Sequence, residues 1–598
     1  MDQQYQDQGG RQRLRLFDEG RPLGDRVFWA LLVAIALLGL ALRLPHLSSR
    51  SLWLDEAYSA WFAAQPLHTL WTSVPLYETH PPMYYTLLKG WTALFGQSEA
   101  ALRAPSVLAS VVTVVLLALA GRALRAGPFG NRATLLAAFL LAINQGAVYH
   151  AQQARPYALE ALAASAAILS ALMLLQRLRA EADRQFRLRP FLPSMMSLGV
   201  STAATMWMHN TGIMVAFGLW TGLLVAALFF VPGRRLHQML VIVLPGILAL
   251  LLWSPFLPMF IRQNSGMATL SYWVVFSPWD LLTAWFLAAG GYLPLIPAIF
   301  LFLVGIRAVA LKRWPDAALV LVVLLLPLAT ILAISYFLKP VYIDRLFEWM
   351  APTFVALVAI GMLADIPWQS LRQVTTLLFI GLGCFSTFTA YSVQTEDWRG
   401  IVARIADNAE PGDLVIASPN ELDPPVHYYA ARHRSFPELL TVPASYPALG
   451  LPRVYVSNLG APKIMPADRQ LVREAMKTHR RVWLIERGTN FYDPDGLVRA
   501  EVLSVRRLVS SQISDSVTAA LQASFASALH VADQYPQYKD EILAAASHSL
   551  VAGALGAYLV GAIAIAVGAG LVAFCLPSHQ RERELVALYE TQDAAGTN

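Results

Sequence analysis

The sequence predicts an α-helical polytopic membrane protein that carries a small extracytoplasmic α/β domain. Three observations lead there. Only 14% of the 598 residues are charged and 56% are hydrophobic, against about 25% charged in ordinary soluble domains. The apolar residues come in runs of roughly 20, the length that carries a helix across a bilayer. One long stretch, 393–548, breaks that rhythm, and in its first part short β-rich runs alternate with amphipathic segments.

In chain order, residues 1–26 form a basic, polar N-terminal segment. Apolar runs follow at 27–44, 105–124, 132–149, 156–176, 193–209, 211–231, 239–259, 294–311, 317–338, 345–364, 374–392 and 549–576, about twelve spans on a hydropathy reading. Residues 82–96 and 277–290 are apolar but short, and read as interfacial or re-entrant helices. The membrane module thus covers 27–392, with an outer loop at 45–104. An outer α/β domain fills 393–508, a helical linker 509–548, a last span 549–576 and a tail 577–598.

Charge gives the orientation. Arg122, Arg125 and Arg132, then Arg177, Arg179 and Arg184, then Arg234 and Arg235, Arg307 and Lys312, and Arg581 and Arg583 share one side with the basic N-terminus. The opposite loops hold only Arg50, Lys89, Arg103, Arg155, Arg262, Lys339 and Arg345. Positive residues collect on the cytoplasmic side, so both termini are expected there. The formal net charge of +6 is accounted for by that placement and calls for no nucleic-acid partner. The two cysteines, Cys384 and Cys575, fall in spans and supply no disulfide framework.

The outer domain opens with Glu396–Ala409, where Trp398, Ile401, Val402, Ile405 and Ala406 form a helical stripe. Pro411-Gly412-Asp413 ends it. Strands are expected at Leu414–Ala417, Arg453–Val456 and Arg481–Ile485, with helices near 424–431 and 466–479. That alternation predicts a small, mostly parallel sheet. No glycine-rich phosphate fingerprint follows any strand.

The chemistry concentrates in the outer loops. Leu52-Trp53-Leu54-Asp55-Glu56-Ala57-Tyr58 opens a helix expected over 51–65, with Leu54, Tyr58 and Trp61 on one face and Asp55 and Ser59 on another. Carboxylates close to lipid are costly and so point to function. The bland alternative is that both acids favour the first helical turn, Asp55 acting as the capping acid. Next comes Glu78-Thr79-His80-Pro81-Pro82-Met83-Tyr84-Tyr85, whose prolines set an extended backbone before a helix. Then Tyr149-His150-Ala151-Gln152-Gln153-Ala154-Arg155-Pro156-Tyr157 packs an arginine, a histidine, two glutamines and two tyrosines into one short outer loop.

In that order, Leu54-Asp55-Glu56, His80-Pro81-Pro82-Met83-Tyr84-Tyr85 and Gln153-Ala154-Arg155-Pro156-Tyr157 resemble the polytopic GT-C glycosyltransferases. The resemblance is to family-39-like members related to protein O-mannosyltransferases and lipid A aminoarabinose transferases, and it covers about residues 25–500. It implies a sugar donor carried on a polyprenyl phosphate and transfer to a hydroxyl of a cell-envelope acceptor at the outer face of a bacterial inner membrane. It maps the family's catalytic aspartate onto Asp55 and its motif acid onto Glu56. His80 stands where the aminoarabinose branch has lysine, which argues against that sugar. Tyr58, Tyr84, Tyr85, His150, Gln153 and Tyr157 are the accompanying substrate-binding residues.

A phosphomonoester leaving group has a second pKa near about 6 and departs without an acid, so one general base suffices. Cations for the donor phosphate are Arg155, Arg262 and Arg345, with Arg103 and Lys339 behind them. No His, Asp or Glu cluster has metal-ligand spacing; no cofactor is assigned, and a divalent cation is left open. Direct attack predicts inversion. Besides the lipid-linked donor and the acceptor, membrane lipids are the expected partners. The alternatives are a transporter or flippase, which the few charges in the spans and the lack of an obvious repeat count against, and a non-catalytic scaffold built around the outer domain.

Overall fold

The computed structural model describes residues 23–505, except 183–184, 268–276, 278, 392–395 and 457. The expected linker 509–548, last span 549–576 and tail 577–598 lie outside the described residues, as does most of the N-terminal segment. One compact unit holds the residues up to Pro367 together with Thr375–Val502; Trp368–Val374 is assigned to a second.

The first outer loop follows helix α1 (Asp25–Arg43) and contains α2 (Leu54–Ala64), the short α3 (Leu67–Thr72) and α4 (Pro82–Phe95). Helices α5 (Glu99–Ala123), α6 (Gly127–Ala142), α7 (Gln145–Ala151), α8 (Tyr157–Ala180), α9 (Leu192–Met208) and α10 (Gly212–Phe230) come next. After them stand α11 (Arg235–Trp253), α12 (Leu257–Met267), α13 (Asp280–Ala289), α14 (Tyr292–Phe337), α15 (Ala351–Leu363) and α16 (Gln369–Ala390). Among the described residues, eight helical segments are long and apolar enough to cross a membrane, and nine if α6 and α7, bent by 58° at their break, count as one.

The sequence reading of about twelve spans differs for three reasons. The runs 294–311 and 317–338 are two helices joined within α14 across a kink at Arg313 (φ −146°, ψ 66°), near which Pro315 removes a helical donor and its ring crowds the preceding turn; at 46 residues α14 is about twice the length of one span. Helix α9 is 17 residues long, just short of a full span. The run 549–576 is outside the described residues. The count of nine takes the two helices of α14 as one segment, leaves out α9 and does not reach 549–576.

Local chemistry explains the boundaries near the outer loops. Ser98 caps α5 by accepting from the Ala101 amide (3.2 Å), and Asn144 caps α7 by accepting from Ala147 (3.0 Å). Pro82 starts α4 as its first residue, and Gly96 ends it with φ 80°, a conformation that favours glycine. Helices α14 and α15 cross at Gly305 and Gly361, where a Cβ on either would overlap the carbonyl of Leu357 or Leu301. Small residues permit such close approach. Arg43 is wholly buried, its guanidinium donating to Ser110 Oγ (2.8 Å) and to the Leu141 and Ala142 carbonyls (3.2 and 3.0 Å).

The outer domain contains α17 (Trp398–Asn408), β1 (Leu414–Ser418), α18 (Asp423–Ala430), β2 (Glu438–Thr441), α19 (Asp468–Lys477), β3 (Val482–Glu486), α20 (Thr489–Tyr492) and α21 (Leu497–Val505). The sheet is parallel throughout, in the order β2-β1-β3, with Leu414 opposite both Glu438 and Val482. Central β1 is buried at every position, as its unbroken apolar run implies. The expected strand at Arg453–Val456 is not one: only an isolated Tyr455–Pro462 bridge forms there, since Pro452 and Pro462 cannot donate to a ladder. The third strand is instead Glu438–Thr441, a four-residue run that Pro437 and Pro443 hid in the sequence.

The domain packs directly on the first outer loop. Leu52, Tyr58, Phe62 and Tyr85 share one apolar core with Trp398, Val402, Val426 and Tyr429. Arg399 and Arg432 of the domain both hold Glu99 at the start of α5, each at 2.7 Å.

Candidate functional site

Helix α2 presents its first turn to the region where the outer loops meet. Trp53 is its N-cap, so Leu54, Asp55 and Glu56 are the first three helical residues. Glu56 performs the local duty of the third position by accepting from the Trp53 amide (3.3 Å). The capping role expected as an alternative for Asp55 therefore falls to its neighbour.

The two carboxylates then diverge. Glu56 points inward and is sealed: Arg103 holds it through Nε and Nη2 (2.8 and 2.6 Å), and the Ala154 amide donates at 2.7 Å. The rest of the Arg103 guanidinium is spent on the Leu47, Arg50 and Ser51 carbonyls (2.8–2.9 Å). Both side chains are almost completely buried. Asp55 keeps 22% of its side chain exposed and faces two guanidinium groups, Arg345 Nη2 at 3.1 Å and Arg155 Nη2 at 3.9 Å.

Arg155 is placed by the short connection between α7 and α8, where Pro156 precedes the helix. Its Nη1 donates to the Asp55 carbonyl (3.2 Å) and to Ser59 Oγ (3.4 Å). Arg345 lies in the 3-10 turn Asp344–Met350 leading into α15. Its guanidinium stands 5.3 Å from the Trp53 ring and 6.0 Å from that of Tyr157. The Arg155 guanidinium is 5.8 Å from the Tyr157 ring. These flat cations are thus held against aromatic faces with donors directed at Asp55.

His80 fixes Arg155 from the other side. Its Nε2 lies 3.1 Å from Arg155 Nη2, while its Nδ1 contacts Glu78 Oε1. A guanidinium can only donate, so Nε2 accepts and Nδ1 carries the proton given to Glu78. The tautomer follows from the partners. Tyr85 adds a second donor to Glu78 Oε1 at 3.2 Å, and His209 sits edge-on to His80 with ring centroids 4.8 Å apart.

Burial alone would raise the Asp55 carboxyl, but Arg345 and Arg155, with Arg487 behind them, outweigh it and hold the group below its ordinary value. Glu78 behaves alike: burial opposes its charge, while His80 and Arg155 keep it low. Burial and the neighbouring Glu78 push the Tyr85 phenol far up, so it stays protonated as a donor.

The other expected residues are distributed as follows. Tyr84 is buried on α4, and Tyr58 is buried against Phe62 and Tyr446 (5.8 and 5.1 Å between centroids). His150 is packed edge-on between Tyr149 and Tyr157, and Gln153 is buried in the same turn. Arg103 is placed on Glu56, Arg262 on an exposed face of α12, and Lys339 just after α14 with its amide on the Ile334 carbonyl. Glu78 and His209 entered no expected role, although Glu78 stands two residues before His80 in the same motif.

Among the described residues, no group of three or more His, Cys, Asp or Glu side chains is arranged to hold a metal ion. Glu78 and His80 instead spend their facing atoms on each other.

Residues 79–259 match the family model described as dolichyl-phosphate-mannose-protein mannosyltransferase. ArnT from Cupriavidus metallidurans, solved with undecaprenyl phosphate bound, superposes with a TM-score of 0.50 at 14% identity, over 70% of this chain and 87% of that one. The chain has a GT-C fold. The Archaeoglobus fulgidus oligosaccharyltransferase in its apo form matches over 70% of this chain, with 12% identity and a TM-score of 0.49. This chain spans 65% of that protein's length. A protein O-mannosyltransferase complex of S. cerevisiae bound to its sugar donor matches over 41% of this chain and 34% of that one, with 16% identity and a TM-score of 0.30. No curated protein sequence matches the chain.

Proposed function

We propose that the protein is an inverting membrane glycosyltransferase. It moves a sugar from a polyprenyl-phosphate donor to a hydroxyl of a cell-envelope acceptor, at the outer face of a bacterial inner membrane, with both termini in the cytoplasm. The observation that carries this reading is a single part-exposed carboxylate, Asp55, flanked by Arg345 and Arg155. The family match over 79–259 and the fold shared with ArnT support it.

The donor brings one negative charge on a phosphodiester. Arg345 and Arg155 take that phosphate, because guanidinium forks fit its oxygens and two donors each remain favourable as charge grows. Drawing them to phosphate removes cations from Asp55, whose carboxyl then rises toward the ordinary range. A carboxylate held low is a poor base, and the bound donor itself improves it.

Asp55 accepts the proton of the acceptor hydroxyl as that oxygen attacks the anomeric carbon. The bond from that carbon to the phosphate oxygen breaks, and its electron pair leaves with the polyprenyl phosphate. One displacement inverts the centre. Glu56, fixed on Arg103, takes no proton; it holds α2 against α5.

The test is transfer by the purified protein in lipid nanodiscs, given a polyprenyl-phosphate-linked sugar and envelope extract. Wild type releases polyprenyl phosphate and labels an acceptor, while Asp55→Asn loses about 10²- to 10⁴-fold in turnover, the usual worth of a general base. Near-normal turnover in a folded Asp55→Asn protein overturns the assignment. Movement of lipid-linked sugar across vesicles without any transfer overturns the enzyme reading itself.

A further inference from the structure

The outer domain contributes four polar groups that the chemistry above does not use. Glu421 follows the end of β1 and Arg487 follows the end of β3, so both lie at the carboxyl ends of neighbouring parallel strands. In the order β2-β1-β3, the chain switches there from one side of the central strand to the other, which is where open α/β sheets form crevices for ligands. Here protein groups meet at that place. Arg487 donates from Nε to Glu396 Oε1 (2.7 Å) and from Nη1 to Glu421 Oε1 (2.8 Å), and Tyr492 OH donates to Glu421 Oε2 (2.5 Å).

The chain of contacts does not stop in the domain. The second oxygen of Glu396 accepts from Trp398 Nε1 (2.9 Å) and from the backbone amide of Leu54 (3.0 Å). Leu54 immediately precedes Asp55 and begins α2. Its amide is one of the first four in a helix, which have no partner within it. The cap residue, Trp53, supplies no side-chain acceptor. A carboxylate 342 residues away does.

We propose that Arg487 is a positioning residue for Asp55: held by Glu421, it fixes Glu396, and Glu396 fixes the first turn of α2. Water would satisfy the Leu54 amide equally well if the helix only needed a partner. A carboxylate locked between an arginine and a tryptophan also sets the direction in which the turn leaves. The outer domain is thereby coupled to the reacting centre. Arg487 also belongs to the cations that hold the Asp55 carboxyl low, so its loss acts on charge as well as on position. The inference rests on the base role given to Asp55.

Two readouts test it, one of them independent of turnover. In Arg487→Gln, hydrogen exchange of amides in the Leu54–Glu56 turn rises about tenfold, the scale of one lost charge-assisted hydrogen bond. The kcat falls about tenfold with donor KM within twofold, and the acid limb of kcat moves to higher pH by roughly half a unit, because a cation near Asp55 is gone. Arg487→Lys returns the limb toward wild type. Arg481→Gln, at the other end of β3 on Asp413 and Glu410, changes neither exchange nor limb.

If Arg487→Gln does not fold, Glu396→Gln leaves the Arg487–Glu421 pair in place and raises the same exchange. Unchanged exchange at Leu54 in a folded variant overturns the proposal. So does a loss of turnover with an unmoved limb, which reduces Arg487 to a strut of the domain. Should the wild-type protein transfer no sugar, the enzyme reading fails, and exchange still decides whether the domain sets α2.

Discussion

Asp55 and Glu56 leave the same turn of α2 and enter opposite kinds of surroundings. Around Glu56 every donor is committed: Arg103 binds it twice, Ala154 once, and three carbonyls consume the rest of the guanidinium. Around Asp55 the two arginines stand at 3.1 and 3.9 Å, on one carboxylate oxygen, in a part-exposed position. The difference is one of closure. A buried pair with all hydrogen bonds made resists rearrangement, whereas two arginines that lean on aromatic rings and reach a part-exposed carboxylate through one oxygen can exchange it for a phosphate. The sequence resemblance already sets Asp55 apart from Glu56; their neighbours give that distinction a physical form.

The largest expected effects come from exchanging one for the other. Asp55→Asn costs about 10²- to 10⁴-fold in turnover and shifts unfolding stability by less than about 1 kcal/mol, the scale of part-exposed ion pairs. Glu56→Gln strands the buried Arg103 charge and costs about 3–5 kcal/mol of stability. Thermal unfolding in detergent beside single-turnover transfer reads both. A Glu56→Gln protein as stable as wild type, or an Asp55→Asn protein destabilised by several kcal/mol, breaks the contrast.

A smaller effect tests the arm that holds Arg155. His80 accepts from Arg155 at Nε2 and passes its own proton to Glu78. His80→Phe keeps a ring there without an acceptor. A hydrogen bond to a charged group is worth about 1.5–3 kcal/mol, so donor KM rises roughly 10- to 100-fold while acceptor KM is unchanged. An equal rise in both would place His80 outside the phosphate arm.

How much of this was legible before the structure depends on range. The membrane module was readable because each span carries its own apolar run, and the first-loop helix because Leu54, Tyr58 and Trp61 obey local periodicity. Errors came where proline changes backbone chemistry: Pro452 and Pro462 around the false strand, Pro437 and Pro443 around the true one. At the site, Asp55, Arg155, Arg345 and His80 stood out as polar residues in outer loops. The roles of Arg103 and Glu396 did not, since their partners lie 47 and 342 residues away, and no local pattern encodes such pairings. Arg262 and Lys339 looked equivalent to Arg155 in sequence because they share its side of the membrane; only packing distinguishes them.

The subtlest difference between the two acids lies in pH. Asp55 must be ionised to act, so any rise in its pKa moves the acid limb of activity to higher pH. In the free protein Arg345 and Arg155 overcome burial and hold it below its ordinary value, so the acid limb of kcat/KM falls below the ordinary carboxylate range. In the proposed donor complex those arginines sit on phosphate, and burial is opposed by fewer cations. The acid limb of kcat therefore lies above that of kcat/KM. Stability follows the same sign. Asp55 and Glu78 are both depressed in the folded protein, so their contribution is complete above about pH 4 and is lost as pH falls through their lower folded values. Asp55→Asn flattens that loss without altering stability at neutral pH by more than about 1 kcal/mol. Rate profiles under donor-saturated and donor-limited conditions decide the point. Coincident limbs would mean that the arginines never leave Asp55, and a carboxylate pinned by two guanidinium groups would be a structural acid like its neighbour.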